Sequence, residues 1–599
     1  MTRLRVGPLV RAIGPYHVAI WTEWTQPTEV ILRAKPAGHS QDQEQEIPFV
    51  RSRTITVGRH HYAISRLTGL HAATWYTYEI TTMMQDMQQI PPPALQSGNS
   101  IVQCFRTFDP PEAPTTLRLA YGSCRKLSVP GPDALSAFGS WLSRSLHERE
   151  TTWPHLLLLI GDQIYADDYT GRRKRTRPLP SNAGQEKSER AGAQSFAEFA
   201  DLYETTWTCD AGIRQVLAAL PVYMIFDDHE ITNSWNIWPG WRSLALQHGH
   251  EQMLVDGLVA YWLYQGWGNI CMQDSNSHPL LAIMHKAEQS GEDVLEDLRA
   301  CIRRAIYQEI HLRWHYAIQT NPPIFVADVR ADRPASLGAA DDHSDPPRIM
   351  SQEQMKELQT WMQQHDAGPI LLVSSVPLLL TPFIGFAEYL MGIRPLHNVH
   401  SAPIRSLARY LARIQQKVAL RMSFDHWPVF AATWREFVKL LRTRKHDIIV
   451  LSGDVHFSYS VAAHSGFSRF RKNATFYQLV ASPFSNTLES RDKRLVAGQA
   501  WIKRMIYGGL HIRMLPLCYP NTTKRLPHDL LFQNTVALVT IQPPQERRDE
   551  SGLSAPSFGE EVGARFIAPG AANRLCFQQI YLGVKDGILQ AVATNGAEK

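Results

Sequence analysis

Seven cysteines in 599 residues, none of them in a Cys-x-x-Cys pair, are too few and too scattered for a disulfide framework. That pattern fits a reducing compartment. No apolar run is long and clean enough to span a bilayer: the most apolar stretch, 378–393, is interrupted by Pro382 and Gly385 and carries Glu388. The first residues are basic but lack an apolar segment and a small-residue cleavage site. They read as no signal peptide, and the chain as cytoplasmic. A large charge of one sign is also missing, and +5 over this length gives no nucleic-acid-binding signal. At 599 residues the chain is too long for a single core, so at least two domains are expected.

What the sequence does contain is one pattern written three times. An apolar strand-like run ends abruptly in residues that ligate metals. Leu156–Ile160 leads into Gly161-Asp162-Gln163-Ile164-Tyr165-Ala166-Asp167. Residues 222–226 lead into Asp227-Asp228-His229-Glu230, with Asn233 beyond, and 448–451 lead into Ser452-Gly453-Asp454-Val455-His456. Runs of this kind suit strands covered on both faces, and open α/β sheets bind ligands beyond the carboxyl ends of their strands. Further strand ends follow suit: 117–121 before Gly122-Ser123-Cys124-Arg125, and 324–327 before Asp328-Val329-Arg330.

Around these segments the chain divides. Residues 1–112 read as a small all-β sandwich of fibronectin-III or immunoglobulin type, with strands at 17–24, 29–34, 61–67 and 74–81 and a last one beginning at Cys104. Residues 113–599 alternate strands with helical patterns and form the α/β catalytic domain. Two polar stretches, 171–194 and 545–562, read as loops. An insert near 378–425 joins the apolar stretch to a helix with Arg405, Arg409, Arg413 and Lys417 four apart, beside Leu407, Leu411, Ile414 and Val418. The favoured reading is a lid or subdomain whose apolar side packs on the catalytic core. The rival is peripheral membrane contact through 378–421.

The residue types carry a chemistry. A carboxylate such as Asp162 can bridge two cations, and Tyr165, three residues on, returns to the same ion; a phenolate suits a hard ion such as ferric iron. Three carboxylates around His229 repel one another unless cations neutralise them. Asp454 and His456, at i and i+2, point to one side of an extended segment. A Cys124 thiolate is a legitimate iron or zinc ligand, and the Arg125 and Arg330 guanidinium forks suit phosphate oxygens.

Taken in order, Ser123-Cys124, the Gly161–Asp167 segment, Asp227-Asp228-His229-Glu230 with Asn233, Asp328-Val329-Arg330 and Ser452-Gly453-Asp454-Val455-His456 resemble alkaline phosphatase D, the PhoD-like phosphatases. These belong to the metallophosphoesterase superfamily, which includes the purple acid phosphatases. The resemblance implies an αββα sandwich behind a leading β-sandwich, and a site with iron (Fe3+) and calcium, other divalent metals being alternatives. Carried over to this sequence, Cys124, Asp162, Tyr165 and His456 hold iron. Asp162 bridges to calcium with Asn233 and Asp454, and either Asp227 or Asp228 joins them. The implied reaction is hydrolysis of phosphate mono- or diesters by a metal-bound hydroxide. Arg330 or Arg125 clamps the phosphate, and His229 acts as general acid or electrostatic stabiliser. The family is usually exported by a twin-arginine signal, and none is visible here. The rival reading is a membrane- or protein-binding scaffold that keeps the metal site with little turnover.

Overall fold

The computed structural model describes residues 2–37, 47–83, 101–113, 115–169, 192–238, 240–334, 346–394, 401–465, 474–542, 576–585 and 587–595. Most of the stretch 171–194, and all of 545–562, lie outside the described residues.

Eight strands build the N-terminal part: β1 (Leu4–Ile13), β2 (His17–Trp24), β3 (Glu29–Pro36), β4 (Phe49–Arg53), β5 (Ile55–Val57), β6 (His60–Thr68), β7 (Trp75–Thr82) and β8 (Cys104–Arg106). They form two antiparallel four-stranded sheets, ordered β1-β2-β6-β5 and β4-β3-β7-β8. β1 has no counterpart in the sequence reading. Gly7 and Pro8 break its alternation, and Arg11 hides its apolar run. The structure explains Arg11: it is fully buried, and its Nη2 donates to Asn269 Oδ1 at 2.9 Å and to the Gln265 carbonyl at 2.5 Å. A few residues on, the Ile13 backbone N–H donates to Tyr223 Oη at 3.1 Å. The N-terminal sandwich is thus fastened to the strand that precedes Asp227.

The remaining strands are β9 (Leu117–Gly122), β10 (Leu156–Ile160), β11 (Val222–Ile225), β12 (Tyr316–Ile318), β13 (Ile324–Ala327), β14 (Ile370–Ser374), β15 (Ile448–Ser452), β16 (Tyr459–His464), β17 (Phe476–Val480), β18 (Arg504–Tyr507), β19 (Leu510–Met514), β20 (Leu517–Cys518), β21 (Thr535–Gln542), β22 (Cys576–Lys585) and β23 (Ile588–Asn595). They make two mixed sheets, ordered β11-β10-β9-β21-β22-β23-β20 and β12-β13-β14-β15-β17-β16-β19-β18. β9, β10 and β11 run parallel, as do β13, β14, β15 and β17.

Period-two alternation in the second sheet shows how the layers stack. Val326, Leu371, Val373, Ile449, Leu451 and Leu479 share a core with the first sheet. Their neighbours Phe325, Ile370, Leu372, Ile448 and Val450 turn the other way, onto a second core. Helix α1 (Ala134–Arg144) covers β21–β23 with Leu135, Phe138 and Leu142. On the far side, α2 (Gln352–Gln364) contributes Met355, Leu358 and Met362 to that second core. The three motif-bearing strands of the sequence therefore divide between two sheets, β10 and β11 in one and β15 in the other. Their ends meet across the sandwich.

The insert contains α3 (Pro382–Gly392) and α4 (Ala402–Arg421), followed by α5 (Ala431–Thr443). The lid expectation fails on the packing of α4. Its contact face is alanine (Ala408, Ala412 and Ala419), while Leu407, Leu411, Ile414 and Val418 are exposed. Small side chains let α4 approach α3 closely, and Gln415 Nε2 donates to the Leu390 and Ile393 carbonyls at 2.9 and 3.1 Å. No helix among the described residues is long and apolar enough to cross a membrane.

Candidate metal centre between the two sheets

Close approach of the two sheets at Gly453, and of neighbouring strand ends within the first sheet at Gly161, brings the motifs together. A Cβ on Gly453 would lie 2.1 Å from Ser123 Oγ, and one on Gly161 would lie 2.5 Å from Asp227 Cβ. Gly161 also has φ +87°. Immediately beyond these points the backbone is strained: Cys124, Asp162, Asp454 and His456 all adopt left-handed φ, between +53° and +67°. Such conformations cost free energy in non-glycine residues and cluster where function over-determines the geometry.

Glu230 fastens two of the loops. Its carboxylate accepts from the backbone N–H groups of Gln163 (2.7 Å), Asp227 (2.9 Å) and Asp162 (3.1 Å), and from Gln265 Nε2 at 3.1 Å. Burial pushes its pKa up to about 7 despite these donors. Asp328 does the same for the β13 loop, accepting at 2.9 Å from the N–H groups of Arg330, Ala331 and Asp332. Both acids are scaffolding for the site.

Three overlapping donor groups result: Cys124, Asp162 and His456; Asp162, Asp228 and His229; Asp227, Asp228 and Asp454. Within each, one candidate ligand atom per residue lies within 4.8 Å of the others. Asp162 belongs to the first two and Asp228 to the last two, so the donors form one continuous chain. Tyr165 Oη lies 3.3 Å from Asp162 Oδ2. Burial, followed by neighbouring carboxylates, raises the Cys124 thiol well above its ordinary range. Asp162 is raised well above the carboxylate range, burial and the Asp228, Glu230 and Asp454 charges outweighing His229. Asp227 is raised by burial against Arg330, and its Oδ2 has no hydrogen-bond partner. Buried acids that resist ionisation, an orphaned carboxylate oxygen and a thiol, phenol and imidazole in one pocket are a donor set that fits cations.

His229 also joins the site. Its Nδ1 lies 2.8 Å from Asp167 Oδ1, and its ring lies 4.3 Å from that of Tyr165. Burial alone would lower its pKa, but Asp167, Asp228 and Asp162 raise it well above the usual value.

Two expected roles, those of Arg125 and Arg330, need correction. Arg125 leaves the site: its Nε lies 2.7 Å from Asp133, its Nη1 donates to the Thr206 carbonyl at 2.6 Å, and it is 2% exposed. It ties the β9 loop to the helix layer and has no fork to offer phosphate. Arg125→Met should cost about 2 kcal/mol of stability and leave cation binding at the donor groups unchanged, as read from thermal unfolding and metal titration. Arg330 stays, but its guanidinium is enclosed by Asp227, Asp425 and Asp454 (the last at 3.3 Å), with Asp228 at 3.9 Å. It neutralises carboxylates where a phosphate clamp was expected. Asn233 is exposed, and its Oδ1 accepts from Ser234 Oγ at 3.1 Å.

Other residues were missed. Asn486 Nδ2 lies 2.9 Å from Tyr165 Oη and 3.2 Å from His456 Nε2. It follows β17 by the same strand-then-polar pattern, through Ala481-Ser482-Pro483, so the signal was there. Asp425, which pairs with Arg330 and Arg333, and His426 follow no strand and gave none. His426 links Glu388 of α3 (2.7 Å) to Asp454 (3.1 Å). Burial opposes its charge, but those two carboxylates push its pKa up to about 10. Glu388 did leave a trace, as the single acid in an apolar run.

Comparison with known proteins gives three results. Residues 121–258 match the family described as PhoD-like phosphatase, and residues 1–101 match a domain of unknown function (DUF7800). Among solved structures, one titled "Structure of PhoD" superposes with a TM-score of 0.56 at 13% identity, covering 98% of this chain and 88% of that one. No curated protein matches.

Proposed function

Since the chain carries a PhoD-like phosphatase domain across residues 121–258, we propose that it is a metal-dependent phosphoesterase acting on phosphate mono- or diesters. The observation that carries this reading is the unbroken chain of donors from Cys124 through Asp162 and Asp228 to Asp454. Cys124, Tyr165 and His456 are donors suited to iron, with Asp162 shared. Asp228, Asp227 and Asp454 present the carboxylate oxygens that calcium prefers. Cations held there supply Lewis-acid stabilisation of the phosphoryl oxygens and acidify an attacking water.

The chain's own residues account for the rest. Asp167 orients the His229 ring and keeps it protonated, so that Nε2 can deliver a proton to the departing ester oxygen. Lys126, 5.0 Å over the Tyr165 ring and 2.6 Å from Asp168, brings positive charge to the edge of the site, the task expected of Arg125. Arg330 offsets the negative charge that the carboxylates bring. Asn486 holds Tyr165 and His456 in register. Asn486→Ala should weaken metal retention roughly tenfold to a hundredfold, measured as metal content after dialysis against graded chelator.

The deciding experiment pairs elemental analysis of the purified protein with a panel of phosphate mono- and diesters. Bound metal and turnover of at least one ester class support the reading. Bound metal without turnover of any ester refutes it in favour of a scaffold.

A further inference from the structure

The surface of α4 divides into three stripes. Ala408, Ala412 and Ala419 face the body of the protein and are buried. Roughly a quarter-turn away by the helical repeat, Leu407, Leu411, Ile414 and Val418 line a stripe in which each side chain is 40–51% exposed. Arg413, Lys417 and Arg421 follow on the far border of that stripe, all exposed and none in an ion pair among the described residues.

We infer that α4 docks this protein on anionic lipid surfaces. Contiguous exposed apolar patches mark contact surfaces in soluble proteins. Here the patch is a convex stripe along one helix, bordered by cations whose stems can lie along the apolar surface while their heads reach outward. An interfacial helix seats its apolar side chains below the headgroups and its cations among the phosphates. A second copy is a poorer occupant. A two-fold pairing of α4 with itself sets each basic border against its own copy, which like charges oppose. Because no described helix can cross a bilayer, the contact is interfacial.

The test uses the full chain in co-sedimentation with vesicles of phosphatidylcholine alone and of phosphatidylcholine with phosphatidylserine. Binding is expected only to the anionic vesicles and should weaken with salt. Lys417→Gln with Arg421→Gln should reduce vesicle affinity roughly twenty-five-fold, at about fivefold per cation. Leu411→Ser with Ile414→Ser should abolish binding without shifting the thermal midpoint, since both side chains already face solvent. No sedimentation with anionic vesicles would overturn the inference. So would binding that the serine pair leaves intact, or light scattering that finds a dimer dispersed by that pair. None of these outcomes depends on whether the metal site turns over a phosphoester.

Discussion

Asp162→Asn is expected to reduce phosphoester hydrolysis about a thousandfold, the rate equivalent of the several kcal/mol that cations held at this site would contribute to such a transition state. The metal-free variant should unfold at the same temperature as the parent or higher. Both halves follow from one geometry. Asp162 is the residue shared by the Cys124–His456 group and the group that contains Asp228, so losing its charge should weaken cation binding at both. Without cations, the same carboxylate sits buried beside Asp228, Glu230 and Asp454, and its pKa is raised well above the ordinary range. A neutral amide removes that repulsion. Steady-state rates and differential scanning calorimetry after chelation read the two effects separately. Full activity with normal metal content would exclude Asp162 as a cation ligand.

Arg330→Leu should be the most destabilising single change in the site, at about 3–5 kcal/mol, the usual cost of stranding a buried charge partner. The arginine is 2% exposed and pairs with Asp227, Asp425 and Asp454. Without it, the Asp227 carboxylate faces Asp454, Asp162 and Asp228 with no guanidinium to offset their charge, the Asp228 N–H still donating to its Oδ1. The pH dependence has a definite sign. A carboxyl whose folded pKa is raised holds its proton in the native state after the unfolded chain has released it at about pH 4. The unfolded state then binds fewer protons, so stability falls as pH rises. Metal-free protein should accordingly lose stability above about pH 4, and the Arg330→Leu variant more steeply. A saturating cation that the site binds should flatten both curves. Urea titrations from pH 5 to pH 8 test this, and a variant as stable as the parent across that range would show that Arg330 is not needed to balance the acids.

How much of this was legible in the sequence depended on whether a feature was local. Leu156–Ile160 followed by Gly161-Asp162 is self-announcing, because a run buried on both faces and its terminal ligands are contiguous. Arg11 and Gly7-Pro8 concealed β1 because the reason for a buried arginine, Asn269, lies far along the chain. Arg125 and Arg330 were given the right chemistry and the wrong partners. A guanidinium fork fits carboxylate as well as phosphate, and the carboxylates that take them come from separate parts of the chain. On α4 the period was visible but its orientation was not: the alanines won the contact, and the leucines that a core was expected to claim stayed outside.

Glu388 belongs to α3, yet its carboxylate grips His426, whose other nitrogen grips Asp454. A surface helix and a candidate cation ligand are therefore members of one hydrogen-bonded chain, and thermodynamic linkage makes such an arrangement reciprocal. A contact that shifts Glu388 would change cation affinity at Asp454 by a factor, and cation binding there would change the affinity for that contact by the same factor. The insert is in this sense a second input to the candidate cation site, reaching Asp454 through Glu388 and His426.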